Sequence, residues 1–169
     1  FYPDVLPGSH HREQGRKGSL QRKFSAGQSH EIFEVRGVMK DVLTIIMAGG
    51  KGQRLMPLTQ DRSKPAVPFG GIYRLIDIPL SNCINSQLYK ILIFPQYKSQ
   101  SMVDHLEEGW NIFSGDLGHY LRIAAPQQRT GEQWYRGTAD CVRQNLYLLE
   151  RERPKYVLIL SAHHVYKKD

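Results

Sequence analysis

The segment Ala48-Gly49-Gly50-Lys51-Gly52-Gln53-Arg54-Leu55 gathers three glycines and two cations in one short stretch. Glycines let backbone N–H groups crowd around a phosphate, and the cations offset its charge. The pattern is not GxGxxG, because no glycine stands at the third position, and no GK[ST] closes it as a P-loop. Taken alone it leaves a plain tight turn open. Ten residues after Arg54 comes Lys64, in Arg62-Ser63-Lys64-Pro65-Ala66, where Pro65 and Pro68 stiffen the segment that carries it. A lone lysine is by default a solvated charge. The glycine turn upstream can fold this one back over the same phosphate, so Arg54 and Lys64 are the candidate phosphate-facing cations.

A loop of this kind needs an element to launch it. Val42–Ala48 (VLTIIMA) is a continuous apolar run ending at Gly49-Gly50, the pattern of a strand buried on both faces. Further apolar runs follow at Ile91–Phe94 and Tyr156–Leu160. Between them, Met102, Val103 and Leu106 share a helical face behind a Ser99 cap. Ala139, Val142, Leu146 and Leu149 form a second stripe behind Thr138. Strands alternating with helices predict an α/β domain with a mainly parallel sheet and helices on both faces. Nine residues follow the last run, so the sheet is expected to be truncated on its C-terminal side, without its later strands.

Residues 1–38 are rich in Gly, Ser, Gln, His and Arg and show no period, which predicts a disordered polar extension ahead of a domain at 39–169. Arg12, Arg16, Lys17, Arg22, Lys23 and Arg36 against Asp4, Glu13, Glu31 and Glu34 leave that extension only +2, too little for a nucleic-acid tail. The whole chain of 169 residues carries +7, from 23 Lys and Arg against 16 Asp and Glu, which points to anionic partners. Those could be nucleic acid, a membrane surface or phosphorylated small molecules, and charge alone does not choose among them; the cations of 39–169 are spread along the chain instead of clustered, which argues against a nucleic-acid-binding module. No run reaches the roughly 18 apolar residues of a membrane helix, and no apolar leader core is visible. Cys83 and Cys141, 58 positions apart and outside any CxxC, argue against a disulfide scaffold or a zinc site and for a reducing cytoplasm. Both cysteines read as packing residues, Asp77 as a buried polar anchor, and Asp140 as a carboxylate in the first turn of its helix.

The run GGKGQRLMPLTQDRSKPAVPFGGIYRLIDIPLSNCINS resembles the N-terminal signature of the bacterial glucose-1-phosphate adenylyltransferases. PQYKSQSMVDHLEEGW, PQQRTGEQWYRGTADCVRQN and YVLILSAHHVYKKD resemble the same family in the same order, so the likeness covers Met39 to Asp169. It implies the N-terminal part of a Rossmann-like nucleotidyltransferase domain that joins ATP and glucose 1-phosphate into ADP-glucose and pyrophosphate for glycogen synthesis. Carried over position by position, Gly49 and Gly50 lie against the nucleotide, and Arg54 and Lys64 are the main catalytic cations. Tyr135 lies at the sugar-phosphate site, which leaves its alternative, with Trp134, as apolar cover over a sheet edge. Gln96 and Trp134 match positions that couple substrate and effector sites. Gln128 and the Gly137-Thr138-Ala139 turn help hold adenine and phosphate. Mg²⁺ is the implied metal, and intact members are implied to be homotetramers.

One departure bears on the chemistry. The family pattern after the last strand reads Leu-Ser-Gly-Asp-His, its aspartate holding Mg²⁺, whereas this chain has Leu160-Ser161-Ala162-His163-His164. A hard cation prefers oxygen ligands, and a protonated imidazole repels it. The expectation is a chain without a metal ligand at position 163, lacking the family's later Glu-Lys motif and C-terminal β-helix domain, and inactive alone. The alternative function is a non-catalytic nucleotide-binding remnant or a truncated gene product. A new transition-metal site at His163 and His164 is set aside, because adjacent residues on an extended strand point to opposite faces.

Overall fold

A computed structural model describes residues 39–50, 52–126 and 135–165. The expected extension at 1–38 lies outside the described residues, as do Lys51, Gln128 and Trp134. The elements run β1 (Val42–Ala48), β2 (Pro68–Phe69), β3 (Tyr73–Arg74), α1 (Asp77–Asn85), β4 (Lys90–Pro95), α2 (Gln100–Gly109), β5 (Tyr120–Ile123), α3 (Thr138–Gln144), α4 (Leu146–Glu152) and β6 (Tyr156–Ser161). The main sheet has the order β5-β4-β1-β6, and all its ladders are parallel. β2 and β3 form a separate antiparallel pair.

The period-two alternation of β1 divides the core. Ile46 and Ala48 pack with Ile91 and Ile93 against Leu80 and Cys83 of α1 and Met102 and Leu106 of α2. Leu43 and Ile45 join Leu92 and Phe94 on the other face, with Tyr135, Cys141 of α3 and Leu148 of α4. Each such aliphatic side chain contributes about 1.5–3 kcal/mol through burial. Helices therefore cover both faces, as the run pattern predicts. Cys83 and Cys141 are buried and free, and burial pushes their thiols up to about 11 and about 12, so neither is poised to react.

The helical details differ from the sequence expectations. Ser99 stands at the N-cap of α2, but its backbone carbonyl, not its hydroxyl, serves the first turn by accepting from the Met102 and Val103 amides. Thr138 is the first helical residue of α3 and Gly137 holds the cap position. The expected single stripe is broken at Asn145, which separates α3 from α4. Cys141, Asn145 and Leu148 face inward, while Ala139 and Leu146 are exposed. Asn145 Nδ2 donates to the Cys141 carbonyl at 2.8 Å and to the Tyr135 hydroxyl at 3.0 Å. A polar residue thus takes the core-facing position, where it ties the helix to the strand-end segment.

β6 pairs with β1 along one side and stands at the edge of the sheet. Tyr156, Val157 and Ile159 are 54%, 39% and 45% exposed, so this edge strand is apolar and open to solvent. Among the described residues no helix is long and apolar enough to cross a membrane.

Candidate active site

Register brings the carboxyl ends of three strands level: Ala48 of β1 lies opposite Pro95 of β4, and Met47 lies opposite Ser161 of β6. From β1 the chain builds outward to β4 and β5, then returns to the far side of β1 as β6. The strand order reverses at β1, and ligands of open parallel sheets bind beyond the carboxyl ends at such a reversal. The glycine loop begins at that place.

Two contacts shape the loop. A Cβ on Gly49 would stand 2.8 Å from Gln96 Oε1 and 3.2 Å from Gln96 Cβ, so glycine is needed for close approach. Gln96, directly after β4, donates from Nε2 to the Tyr135 carbonyl at 3.2 Å. It therefore spans the gap between the loop and the segment leading into α3. Gly52 has φ +70, and a Cβ there would meet Thr59 Cγ2 at 2.8 Å and Lys64 Cγ at 2.9 Å. The Thr59 hydroxyl donates to the Gly52 carbonyl at 2.8 Å and is almost fully buried. No sequence motif marks Thr59, since its role depends on the loop folding back.

Lys64 opens a short 3-10 turn, Lys64–Ala66, with its stem lying on Gly52. Backbone bonds brace this turn from two directions. The Ser63 amide donates to the Lys98 carbonyl at 3.1 Å, and the Ile76 amide to the Pro65 carbonyl at 3.1 Å. Arg74 Nη1 donates to the Ala66 carbonyl at 2.7 Å, while its own amide donates to Asp77 Oδ2 at 2.8 Å. Buried Asp77 also accepts from Trp110 Nε1 at 2.8 Å and meets His105 Nε2 at 2.8 Å. Asp77 is thus an anchor joining α1 and α2 beneath the turn that bears Lys64.

The other candidates are distributed around this frame. Arg54 lies exposed in a 3-10 turn, Gln53–Leu55, and Gly50 is exposed with open space around it. Gly137 and Thr138 are exposed at the start of α3. Tyr135 is 9% exposed, its ring packed in the second core cluster and its hydroxyl engaged by Asn145. Asp140 accepts from the Arg136 amide, Gln144 and Arg143, and these bonds lower its carboxyl below the usual range. The structure links Gly49, Gln96 and Tyr135 in one chain of contacts and Gly52, Thr59 and Lys64 in another.

His163 stands just past β6, its Nδ1 3.0 Å from Ser161 Oγ. Burial lowers its pKa, as do the positive charges of Lys64 and His164, so the imidazole shares the electrostatic neighbourhood of Lys64. The rings of His163 and His164 meet edge to face with centroids 5.2 Å apart, contrary to the expectation of opposite faces. The strand ends at Ser161 and a turn at 162–163 rotates the second ring toward the first.

A profile of the nucleotidyl transferase family matches residues 43–169. Glucose-1-phosphate adenylyltransferase 2 of Vibrio vulnificus strain YJ016 is 56% identical over 131 residues, which are 78% of this chain and 32% of that protein. Glucose-1-phosphate adenylyltransferase of Rhodopirellula baltica is 52% identical over 131 residues, 77% of this chain and 29% of that protein. The chain thus spans about a third of the length of these curated relatives. A crystal structure from Bacillus anthracis, assigned as a glucose-1-phosphate thymidylyltransferase in complex with sucrose, shares the fold with a TM-score of 0.56 at 21% identity. It covers 76% of this chain and 46% of that one.

Nucleotidyl transferases generally use a divalent metal ion. Among the described residues no group of three or more His, Cys, Asp or Glu side chains could hold one. The side chain at the end of β6 is an imidazole under the influence of a lysine ammonium, an environment that does not suit a hard dication. His163, a nitrogen donor, is itself a poor ligand for Mg²⁺, which prefers oxygen. The parallel sheet, the glycine loop at its strand-order reversal and a profile match across residues 43–169 converge on one conclusion: the chain belongs to the nucleotidyl transferase family.

Proposed function

We propose that this chain is the nucleotide-binding part of a glucose-1-phosphate adenylyltransferase, its substrates ATP and glucose 1-phosphate and its products ADP-glucose and pyrophosphate. The observation that carries the reading is the Gly49–Gly52 loop at the carboxyl end of β1, closed by Gln96 on one side and by Thr59 and Lys64 on the other. The adenylyltransferase relatives at 52% and 56% identity support the choice of substrates.

In this reading a phosphate oxygen of glucose 1-phosphate attacks the α-phosphorus of ATP in line, and pyrophosphate leaves. Two anions must approach each other, and negative charge then grows on the leaving group. The protein supplies positioning and fixed positive charge. Loop amides at Gly49 and Gly50 face the nucleotide phosphates, while Arg54 and Lys64 offset the charge on the departing pyrophosphate. Gly137 and Thr138 border the nucleotide at the start of α3, and Gln128 contributes to adenine binding. Tyr135 borders the sugar phosphate, and Gln96 and Trp134 couple the substrate and effector sites. Mg²⁺ is the metal implied for the intact family member. The domain at 39–169, cytoplasmic placement and a homotetrameric intact protein complete the proposal.

His163 favours a second reading, a nucleotide-binding remnant without turnover, because the strand-end position carries an imidazole where the resemblance implies a metal-binding carboxylate. Two measurements decide. Calorimetric titration of ATP into the wild type, Arg54→Ala and Lys90→Ala tests the site. Arg54→Ala should weaken binding about ten- to hundredfold, the loss of one charge-assisted hydrogen bond. Lys90, at the amino end of β4 and about 17 Å along the strand from Pro95, should change it little. Equal affinity for all three removes the site assignment. Pyrophosphate release from ATP and glucose 1-phosphate then separates enzyme from remnant.

A further inference from the structure

Asn145 is 1% exposed, on the inward face between Cys141 and Leu148, where an apolar residue would add stability more simply. A buried amide is costly unless it is bonded, and a fully bonded one fixes geometry. Its Nδ2 donates twice, to the Cys141 carbonyl at 2.8 Å and to the Tyr135 hydroxyl at 3.0 Å. A carbonyl can only accept, so the Cys141 contact settles which end of the amide is nitrogen. Tyr135 is gripped a second time through its main chain, where its carbonyl accepts from Gln96 Nε2 at 3.2 Å. That bond in turn settles the Gln96 amide, whose Oε1 lies against Gly49, 2.8 Å from where a Cβ would stand.

Two side-chain amides in series thus run from the break between α3 and α4 to the glycine loop, each oriented by a backbone carbonyl. We propose that Asn145 is a positioning residue for the nucleotide: it holds the Tyr135 hydroxyl, the Tyr135 carbonyl orients Gln96, and Gln96 sets the Gly49 end of the glycine loop. Without the hydroxyl bond the Tyr135 segment loses one of its two ties, and Gln96 loses the fixed acceptor that turns its oxygen toward Gly49. The inference rests on the nucleotide-binding reading above and extends it to a buried residue outside the loop.

The test is a double-mutant cycle read by calorimetric titration of ATP into the full chain: wild type, Asn145→Leu, Gln96→Met and the double variant. Both replacements nearly keep the side-chain volume and remove its hydrogen bonds. The affinity lost through Asn145→Leu should be about threefold or more greater in the wild-type background than in Gln96→Met, where the path is already cut. A smaller difference overturns the inference and leaves the nucleotide-binding reading standing, because a merely structural effect of Asn145 does not depend on Gln96. Absence of ATP binding by the wild type overturns both. Should Asn145→Leu fail to fold, Tyr135→Phe takes its place in the cycle, since it removes only the hydroxyl that Asn145 holds. A second readout needs no nucleotide: by NMR, the Gln96 Nε2 protons should exchange with water about threefold or more faster in the variant than in the wild type. Slower or unchanged exchange refutes the inference.

Discussion

Replacing Asp77 by alanine removes one carboxylate that serves three partners at once: the Arg74 amide, Trp110 Nε1 and His105 Nε2, each at 2.8 Å. The residue is 6% exposed, so water cannot easily take its place. Each lost hydrogen bond costs about 1 kcal/mol net, and more when the acceptor is charged or the orphaned donor stays buried. The sum is about 3–4 kcal/mol, a large share of the ~5–15 kcal/mol that holds a typical domain together. Urea unfolding followed by circular dichroism, with linear extrapolation to water, measures it. His105→Ala, which removes only one arm, should cost about 1 kcal/mol. Because Asp77 fixes Arg74, and Arg74 in turn holds the Ala66 carbonyl, ATP affinity should fall in Asp77→Asn even where the protein remains folded. A loss below about 1 kcal/mol in Asp77→Ala, at an unchanged urea slope, would refute the reasoning by showing that the three partners do not depend on a common acceptor.

Gly52→Ala should destabilise by about 2–4 kcal/mol, from a left-handed backbone plus crowding against Thr59 and Lys64, and should weaken ATP binding; a neutral result in both assays would contradict the loop geometry. His163 has a folded-state pKa lowered first by burial and then by Lys64 and His164, so the unfolded chain takes up the proton first as pH falls. Its contribution is complete above about 6.5 and is lost as pH drops through that value, so the wild-type urea midpoint should fall more steeply on acidification than that of His163→Gln; a steeper fall in the variant gives the wrong sign. A chain beginning at Met39 should match the full chain in thermal midpoint and ATP affinity, and a loss of several degrees or of tenfold in affinity would assign residues 1–38 a part in the fold or site.

The strands were legible where their environment is simplest. Val42–Ala48 and Ile91–Phe94 are apolar at every position but Thr44 because helices cover both faces of the sheet, and no partner has to be known to read them. Tyr120–Ile123 gives no comparable run: it is a short strand at the other edge, with Arg122 exposed and pairing with Glu152. The stripe through Leu146 misleads because propensity and spacing cannot reveal that Asn145 is buried to bond Tyr135, a contact set by tertiary structure. The site divides in the same way. The glycine loop and Lys64 were readable as types at a spacing. The need for glycine at position 49 rests on Gln96, which arrives from another strand, and the braces under Lys64 come from Arg74, Lys98 and Asp77. Such agreements between distant segments leave no local mark.

The open edge at β6 governs how the protein behaves in a tube. Tyr156, Val157 and Ile159 present greasy side chains beside a row of backbone groups, which is a template for cross-strand association between copies. Colloidal stability will therefore be set by a few residues of one strand, opposed by the +7 charge of the whole chain. Dilute samples should scatter light as single particles, and concentrated ones should form clusters that salt promotes by screening the charge. Val157→Lys and Ile159→Lys would raise the usable concentration, since both side chains are partly exposed along this edge strand.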